Sequence, residues 1–569
     1  MSEKPTHLPE EARDDAHSPD YIKIGPLEFH PIVFPVSALL IILFTIGGGI
    51  WALHDAAGAE AAFNAAKTWM SDSFGWFFVL SVNALLLVAI LLASTRLGDV
   101  RLGGRLAKPD FSYPSWFAML FSAGMGIGLV FWSVAEPIYH YQSPPNISLV
   151  AAPAGERIAM SLTFFHWGLH AWGVYTVVAA AIAFFAYNRK LPLTIRSTFY
   201  PLLGERVRGP IGHAIDILAV VATLFGVATS LGFGVQQVNS GLHFLMPETV
   251  AAASGDGAAT SLGLSGTTVQ IILITLITLI ATGSVVSGLD KGIKFLSNTN
   301  MFIAGALLLM VLILGPTAHL LDAFVQNLGS YLARFLSMAF WTEAYQADSN
   351  GNPEHWQNGW TIFYWAWWIA WSPFVGMFIA RISYGRTIRE FALGVLLVPT
   401  LVTFFWLTVF GNTALYEEVI GGGGIVAAVG EDVSTALFVL LERFPWAGVT
   451  GTIAIFVIVT FFVTSSDSGS LVIDTITGGG HPNPPVIQKI FWALLEGAVA
   501  AVLLLCGGLS ALQTASIITG FPFAIVLLLM AWSLLKGLKQ AQLEQRHEEE
   551  LDEIREVAAE ERSRQAPNP

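Results

Sequence analysis

Long apolar runs, most of them free of charge, recur along this chain and set its architecture. A helix crosses the hydrocarbon core of a bilayer in about 20 mostly apolar residues. Twelve such segments occur, at residues 32–53, 74–94, 115–135, 161–187, 213–245, 267–287, 296–315, 360–382, 394–410, 449–466, 486–508 and 515–535. The pattern predicts an all-α membrane protein with twelve transmembrane helices. The fifth segment is too long for a perpendicular crossing, so it should tilt or overhang the bilayer. Polar tails, residues 1–30 and 536–569, flank a membrane domain at 31–535. The first tail is acidic and lacks an apolar stretch, so no cleavable signal peptide is expected.

Two further stretches read as helices of another kind. Residues 317–345 place Leu320, Leu321, Phe324, Leu328, Leu332 and Phe335 at helical spacing, opposite Asp322, Gln326, Ser330 and Arg334. That is an amphipathic helix, either lying in the outer interface or packed on the protein. Residues 534–564 alternate in charge and predict a solvated cytoplasmic helix.

Composition narrows the class. Of 569 residues, 54% are hydrophobic and only 12% charged, with a mean hydropathy of +0.62. A soluble fold could not hide that much apolar surface, so membrane lipid is the expected solvent. The net charge is −13, and the two tails carry more than half of it. Nucleic-acid binding is therefore not expected. The one cysteine, Cys506, excludes a disulfide framework and a Cys-based zinc site. No Ser/His/Asp, metal or nucleotide motif appears, so no enzyme is expected. Fifteen of the 28 Lys and Arg lie in or beside the segments that follow spans 2, 4, 6, 8 and 10, against four in the alternate segments. The positive-inside rule then places both termini in the cytoplasm.

Three spans carry unusual chemistry. Span 3 contains AGMGIG at residues 123–128, with Gly124, Gly126 and Gly128 at alternate positions around Met125. Each Gly costs a helix about 1 kcal/mol relative to Ala, so unwound backbone lining a cavity is expected there; close helix packing is the alternative. Span 8 carries Trp367, Trp368 and Trp371 on adjacent faces just before Pro373, and span 4 carries Trp167, Trp172 and Tyr175. Converging ring faces with no anion among them suit a quaternary ammonium group, which donates no ordinary hydrogen bond and is stabilised by ring quadrupoles. Simple aromatic packing is the alternative for any one tryptophan, and His166 reads as a packed histidine. Span 10 ends in FFVTSSDSGS, a hydroxyl-rich stretch with Asp467, which fits a hard-cation site or a helix end in water. No Asp or Glu occurs between Pro114 and Ala135, so a zwitterion is favoured over choline. Gly128→Asp is expected to shift preference towards choline.

Together, GMGIGLVFWSVAEP at 124–137, WAWWIAWSPFVG at 365–376 continuing to RISYGRTIR at 381–389, and TSSDS at 464–468 resemble the betaine/choline/carnitine transporter family over about residues 30–535. The resemblance implies a LeuT-type transporter of the bacterial inner membrane, commonly a homotrimer. Spans 3–7 and 8–12 would form inverted five-helix repeats, with substrate between the broken spans 3 and 8. It implies an aromatic box of Trp167, Trp172, Tyr175, Trp367, Trp368 and Trp371. One sodium site falls on Ser122, Met125, Phe461, Thr464 and Ser465. A second falls on Thr223, Val227, Asn300 and Phe374, but Val227 lacks the hydroxyl that sodium-coupled relatives offer. The function implied is uptake of glycine betaine or a similar zwitterion coupled to sodium, with no cofactor. Proton-coupled choline uptake and carnitine/betaine exchange are the family alternatives, and exchangers carry an arginine in span 5 that is missing here. A channel or membrane sensor is the reading from another class; no filter motif or charged pore lining supports it.

Overall fold

The predicted helices form, with instructive differences. This computed structural model describes residues 22–124, 126–145, 155–246, 266–287, 294–345, 355–481 and 483–565. The principal helices are α1 (Val33–His54), α2 (Ala56–Ser94), α3 (Tyr113–Gly124), α4 (Ile127–Gln142), α5 (Gly155–Trp167), α6 (Leu169–Tyr187) and α7 (Pro210–Leu245). They continue as α8 (Gly266–Ser287), α9 (Lys294–Leu314), α10 (Thr317–Ala339), α11 (Thr361–Arg381), α12 (Ile388–Leu407), α13 (Ala447–Thr477) and α14 (Val486–Gln565). Among the described residues, nine helical stretches are long and apolar enough to cross a membrane. A tenth is reached if the pair Thr299–Leu314 and Thr317–Ala339, bent by 108°, counts as one.

The second span starts earlier than its apolar core. Lys67 and Asp72 interrupt the hydropathy of residues 56–73, yet the Asp55 side chain caps the Gly58 N–H at 2.9 Å and α2 runs unbroken from Ala56. Span 3 divides as its glycines suggest: α3 ends at Gly124 and α4 starts at Ile127, with Gly126 extended between them (φ −144°, ψ −175°). The fourth span also divides, at Gly168, between α5 and α6. The last two segments join in one helical run, α14, interrupted at Gly507 (φ 147°) and Gly508 (φ 56°), backbone that only glycine adopts readily.

Span 8 is not broken. Pro373 cannot donate to the Ile369 carbonyl, but the Ser372 hydroxyl donates to it at 2.7 Å, and α11 stays continuous. Nor does span 10 end near Asp467. Helix α13 runs to Thr477, so Asp467 lies inside it and is buried, with the Ser284 hydroxyl donating at 3.3 Å.

Helices α6, α7 and α11 form the buried centre, with α13 and the first part of α14 beside them. Helices α1, α2, α8 and α9 expose large apolar side chains outwards, among them Leu39, Leu43, Leu80, Leu276, Leu279 and Phe302. In a bilayer these face lipid. On α10, Leu321, Val325, Leu332 and Leu336 are exposed, while Ser330, expected on the polar side, is buried and receives an Arg157 N–H at 3.3 Å. This helix is packed on the protein and keeps an outer apolar face. The tail helix is solvated only beyond its first turns. Leu538 and Ala541 are buried, and Arg189 donates to both carboxylate oxygens of Glu544, at 2.8 and 3.2 Å.

Candidate functional site: an aromatic box beside a helix break

Gly168 organises the first wall. It separates α5 from α6, and a side chain there would collide with the Phe164 carbonyl (2.5 Å) and the Phe404 ring (2.6 Å). The break leaves Trp167 at the end of one helix and Trp172 and Tyr175 in the first turns of the next. Helix α11 supplies the second wall. Its Trp367 and Trp368 rings stack at 4.7 Å between centroids, and Trp371 lies 6.2 Å from Trp367. The walls meet where Trp167 stands edge-on to Trp368 at 4.9 Å and Tyr175 to Trp368 at 6.3 Å; Trp172 joins through Tyr175 at 5.5 Å. All six predicted rings form one cluster, none more than 5% exposed.

The third wall is the break in span 3. A methyl on Gly128 would sit 2.2 Å from the Trp367 ring, and one on Gly126 3.0 Å from Trp371. Bare backbone at the N-terminus of α4 therefore abuts both tryptophans. The first N–H groups of a helix lack partners within it and carry its positive dipole end, so an anionic group is favoured there. Trp367 Nε1, Trp371 Nε1 and the Tyr175 hydroxyl are buried donors without partners. The fit at Gly128 overturns one expectation: an aspartate would drive into Trp367 rather than retune preference.

A second expectation, that no anion stands among the rings, is also corrected. Glu136, near the end of the α4 glycine motif, is fully buried against the box. Its Oε2 accepts from Trp167 Nε1 at 2.7 Å and from the Tyr364 hydroxyl at 2.5 Å. Its Oε1 bonds His166 Nδ1 at 2.7 Å and His140 Nε2 at 3.1 Å. Four donors fill a carboxylate's capacity as an acceptor. His166 completes the chain: its Nε2 bonds the Thr361 hydroxyl at 3.0 Å and its backbone carbonyl accepts from Trp368 Nε1 at 2.9 Å. So His166 is packed, as read from the sequence, and also fixes the Trp368 ring of the box. Glu136 lies one residue past the apolar segment 115–135, but α4 continues to Gln142 and carries it inside, where a buried acid is a functional candidate.

The ion-site residues fare unevenly. Phe461, Thr464 and Ser465 share one face of α13, which packs against α4, and the Thr464 hydroxyl donates to the Thr460 and Phe461 carbonyls at 3.0 and 3.2 Å. Met125 lies outside the described residues, as does the side chain of Ser122. The second set does not come together. Asn300 accepts from the Thr460 hydroxyl at 2.9 Å, whereas Val227 meets α13 at Gly469. At 1.5 Å rise per residue those levels are roughly 13 Å apart along α13. Phe374 packs on Trp371 at 5.4 Å, and the Thr223 hydroxyl is buried without a partner.

Comparison with known proteins decides the family. The model of the betaine/carnitine/choline family transporters matches residues 32–543. The chain belongs to this family. A glycine betaine/proline/choline transporter of Vibrio parahaemolyticus is 44% identical over 537 residues, 91% of this chain and 92% of its own. A glycine betaine transporter of Acinetobacter baylyi is 46% identical over 474 residues, 83% of this chain and 68% of its own. A Bacillus subtilis glycine betaine transporter is 42% identical over 516 residues, 91% and 96% of the two chains. As a member of the betaine/carnitine/choline family, this chain is a multi-pass membrane transporter and not an enzyme.

Proposed function

We propose that this protein takes up glycine betaine, or a similar trimethylammonium zwitterion, by secondary active transport coupled to sodium. The observation that carries this reading is the cluster of six aromatic rings, two of which, Trp367 and Trp371, abut the bare glycine backbone at the start of α4. The trimethylammonium group is held by the faces of Trp167, Tyr175, Trp368 and Trp371, each desolvated cation–π contact contributing about 2 kcal/mol. Glu136 strengthens this end in two ways. Its charge attracts the cation through a medium of low dielectric, and its bond to Trp167 Nε1 pushes electron density into that ring. The substrate carboxylate lies at the α4 N-terminus, within reach of the free Trp371 or Trp367 donor. Three relatives named as glycine betaine transporters, at 42–46% identity, support the substrate class.

Sodium would be held by Ser122, Met125, Phe461, Thr464 and Ser465, between the break in span 3 and α13. The wider architecture belongs to the same proposal. Counting α3 with α4, α5 with α6, α9 with α10, and each limb of α14 as one crossing gives twelve helices, arranged as two inverted repeats that alternate access. Both termini are cytoplasmic, the membrane is the bacterial inner membrane, and the outer apolar face of α10 fits lipid or the neighbours of a homotrimer.

Glu136 favours a second reading, choline, because a buried anion at the ammonium end serves a substrate without a carboxylate equally well. Uptake of radiolabelled betaine and choline into proteoliposomes, under separately imposed sodium and proton gradients, tests both. Sodium-driven betaine accumulation is expected. Choline accumulation with betaine excluded contradicts the first reading, and indifference to sodium contradicts the coupling.

A further inference from the structure

Glu496 lies on α14 inside the membrane domain, fully buried and outside the aromatic box. Its Oε2 accepts the Ser466 hydroxyl at 3.0 Å. Its Oε1 is buried without a hydrogen-bond partner. That oxygen looks onto α13 and α7 where they touch: a methyl on Gly469 would lie 3.0 Å from Oε1 and 3.1 Å from a Val227 Cγ. One turn before Val227, the Thr223 hydroxyl is a second buried polar group without a partner.

An ionised carboxylate with one buried oxygen that no donor reaches is destabilised, and a bound positive charge relieves it. Sodium needs several oxygen ligands, and Gly469, against which both Oε1 and a Val227 methyl stand, has no side-chain oxygen to give. A proton needs the one oxygen. We propose that Glu496 is a proton-binding site of the transport cycle, standing in for the second sodium that Val227 and the distant Asn300 cannot hold. The inference rests on the reading of the chain as a secondary transporter. The step is one O–H bond. Oε1 takes a proton from water while the site is open outwards, stays neutral when enclosed as here, and returns the proton to water on the inner side. No electron is transferred.

The charged surroundings can be stated helix by helix. Helix α13 presents Asp467 and Asp474, and Lys489 on α14 lies close to both, with Arg381 of α11 near it. Helix α8 offers Ser284 and Thr278, the latter against Gly497. Helix α7 offers Thr223, with its Asp216 already bonded to Arg196 at 3.2 Å. Helix α1 has no Asp, Glu, Lys or Arg. Helix α2 meets α14 further on, through Glu60 at Gly507 and Lys67 at Gln513, and α6 meets it beyond, through Phe184 at Gly537.

The test uses the full chain in proteoliposomes with a trapped pH dye. Betaine added outside should acidify the lumen of wild-type vesicles. An alkaline interior, by about one pH unit, should support up to about tenfold accumulation per coupled proton with sodium equal on both sides. Glu496→Gln mimics the protonated form, so it should keep betaine–betaine counterflow and lose both responses. Glu496→Asp should keep coupling with a displaced pH midpoint, which holds the test open if the glutamine variant does not fold. Acidification that persists in Glu496→Gln overturns the proposal, as does an unmoved midpoint in Glu496→Asp or wild-type betaine uptake without proton movement. If the wild type does not bind betaine, the substrate reading fails instead, and the same comparison with choline as the probe decides Glu496.

Discussion

Replacing Glu136 with glutamine removes one charge and almost no volume from the box. The carboxylate accepts four bonds between 2.5 and 3.1 Å, and two of them hold Trp167 and His166, which in turn fixes Trp368. An amide offers one oxygen, and its NH2 must then face donors. If that NH2 takes the Oε2 position it confronts Trp167 Nε1 and Tyr364; in the other position it meets His166 Nδ1 and His140 Nε2, both of which must then turn acceptor. Hydrogen bonds to a charged group are worth about 1.5–3 kcal/mol each. Losing one of them at the ring that cradles the ammonium should weaken betaine binding by roughly ten- to hundredfold. The assay is a tryptophan-fluorescence titration with betaine in detergent, beside a thermal melt that reports folding. Trp167→Phe removes the donor and keeps a ring, so the two substitutions should be non-additive by about 0.5–3 kcal/mol. A folded Glu136→Gln protein with wild-type affinity, or strict additivity with Trp167→Phe, would refute the argument.

Trp371→Ala removes a ring of the box that sits over the helix break and should cost about 2 kcal/mol, roughly tenfold or more in betaine affinity by the same titration. Gly128→Ala should abolish binding and uptake, because its methyl would lie 2.2 Å from Trp367; retained activity shows that the rings and α4 are not in contact. Thr464→Ala combined with Ser465→Ala should raise the sodium concentration for half-maximal uptake many-fold while betaine counterflow persists at saturating sodium. Removing residues 543–569 deletes the Arg189–Glu544 pair, whose side chains are 29% and 57% exposed; a surface ion pair is worth about 1 kcal/mol or less. The truncated protein should still fold and transport, and its uptake rate against osmolality measures any further role of the tail.

Much of the fold was legible because lipid requires long apolar runs, and those runs are visible along the chain. What escaped was local repair. Ser372 compensates for Pro373, and the Asp55 cap starts α2 eighteen residues before its apolar core, both effects of one side chain on a neighbouring carbonyl or amide. The ring cluster was legible because clustered tryptophans and alternate glycines are rare inside spans. Its anion was not, although Glu136 stands at the end of the glycine motif. Its partners His140, His166, Trp167 and Tyr364 come from α4, α5 and α11, and only folding brings them to one carboxylate. The rule that an acid in a span is functional was applied to Asp467 and fits Glu136 and Glu496 as well. The second ion set failed for a geometric reason: motif positions give residue types but not the level at which each helix meets α13.

The central claim is that ring faces and a buried carboxylate recognise a positive charge and not merely three methyl groups. It is tested most directly by binding of 3,3-dimethylbutanoate, in which a neutral carbon replaces the betaine nitrogen and the shape is kept. Competition against radiolabelled betaine on the purified protein should show the carbon isostere binding at least tenfold more weakly, the loss of about 2 kcal/mol of cation–π attraction. Equal affinity for the two compounds would contradict the account.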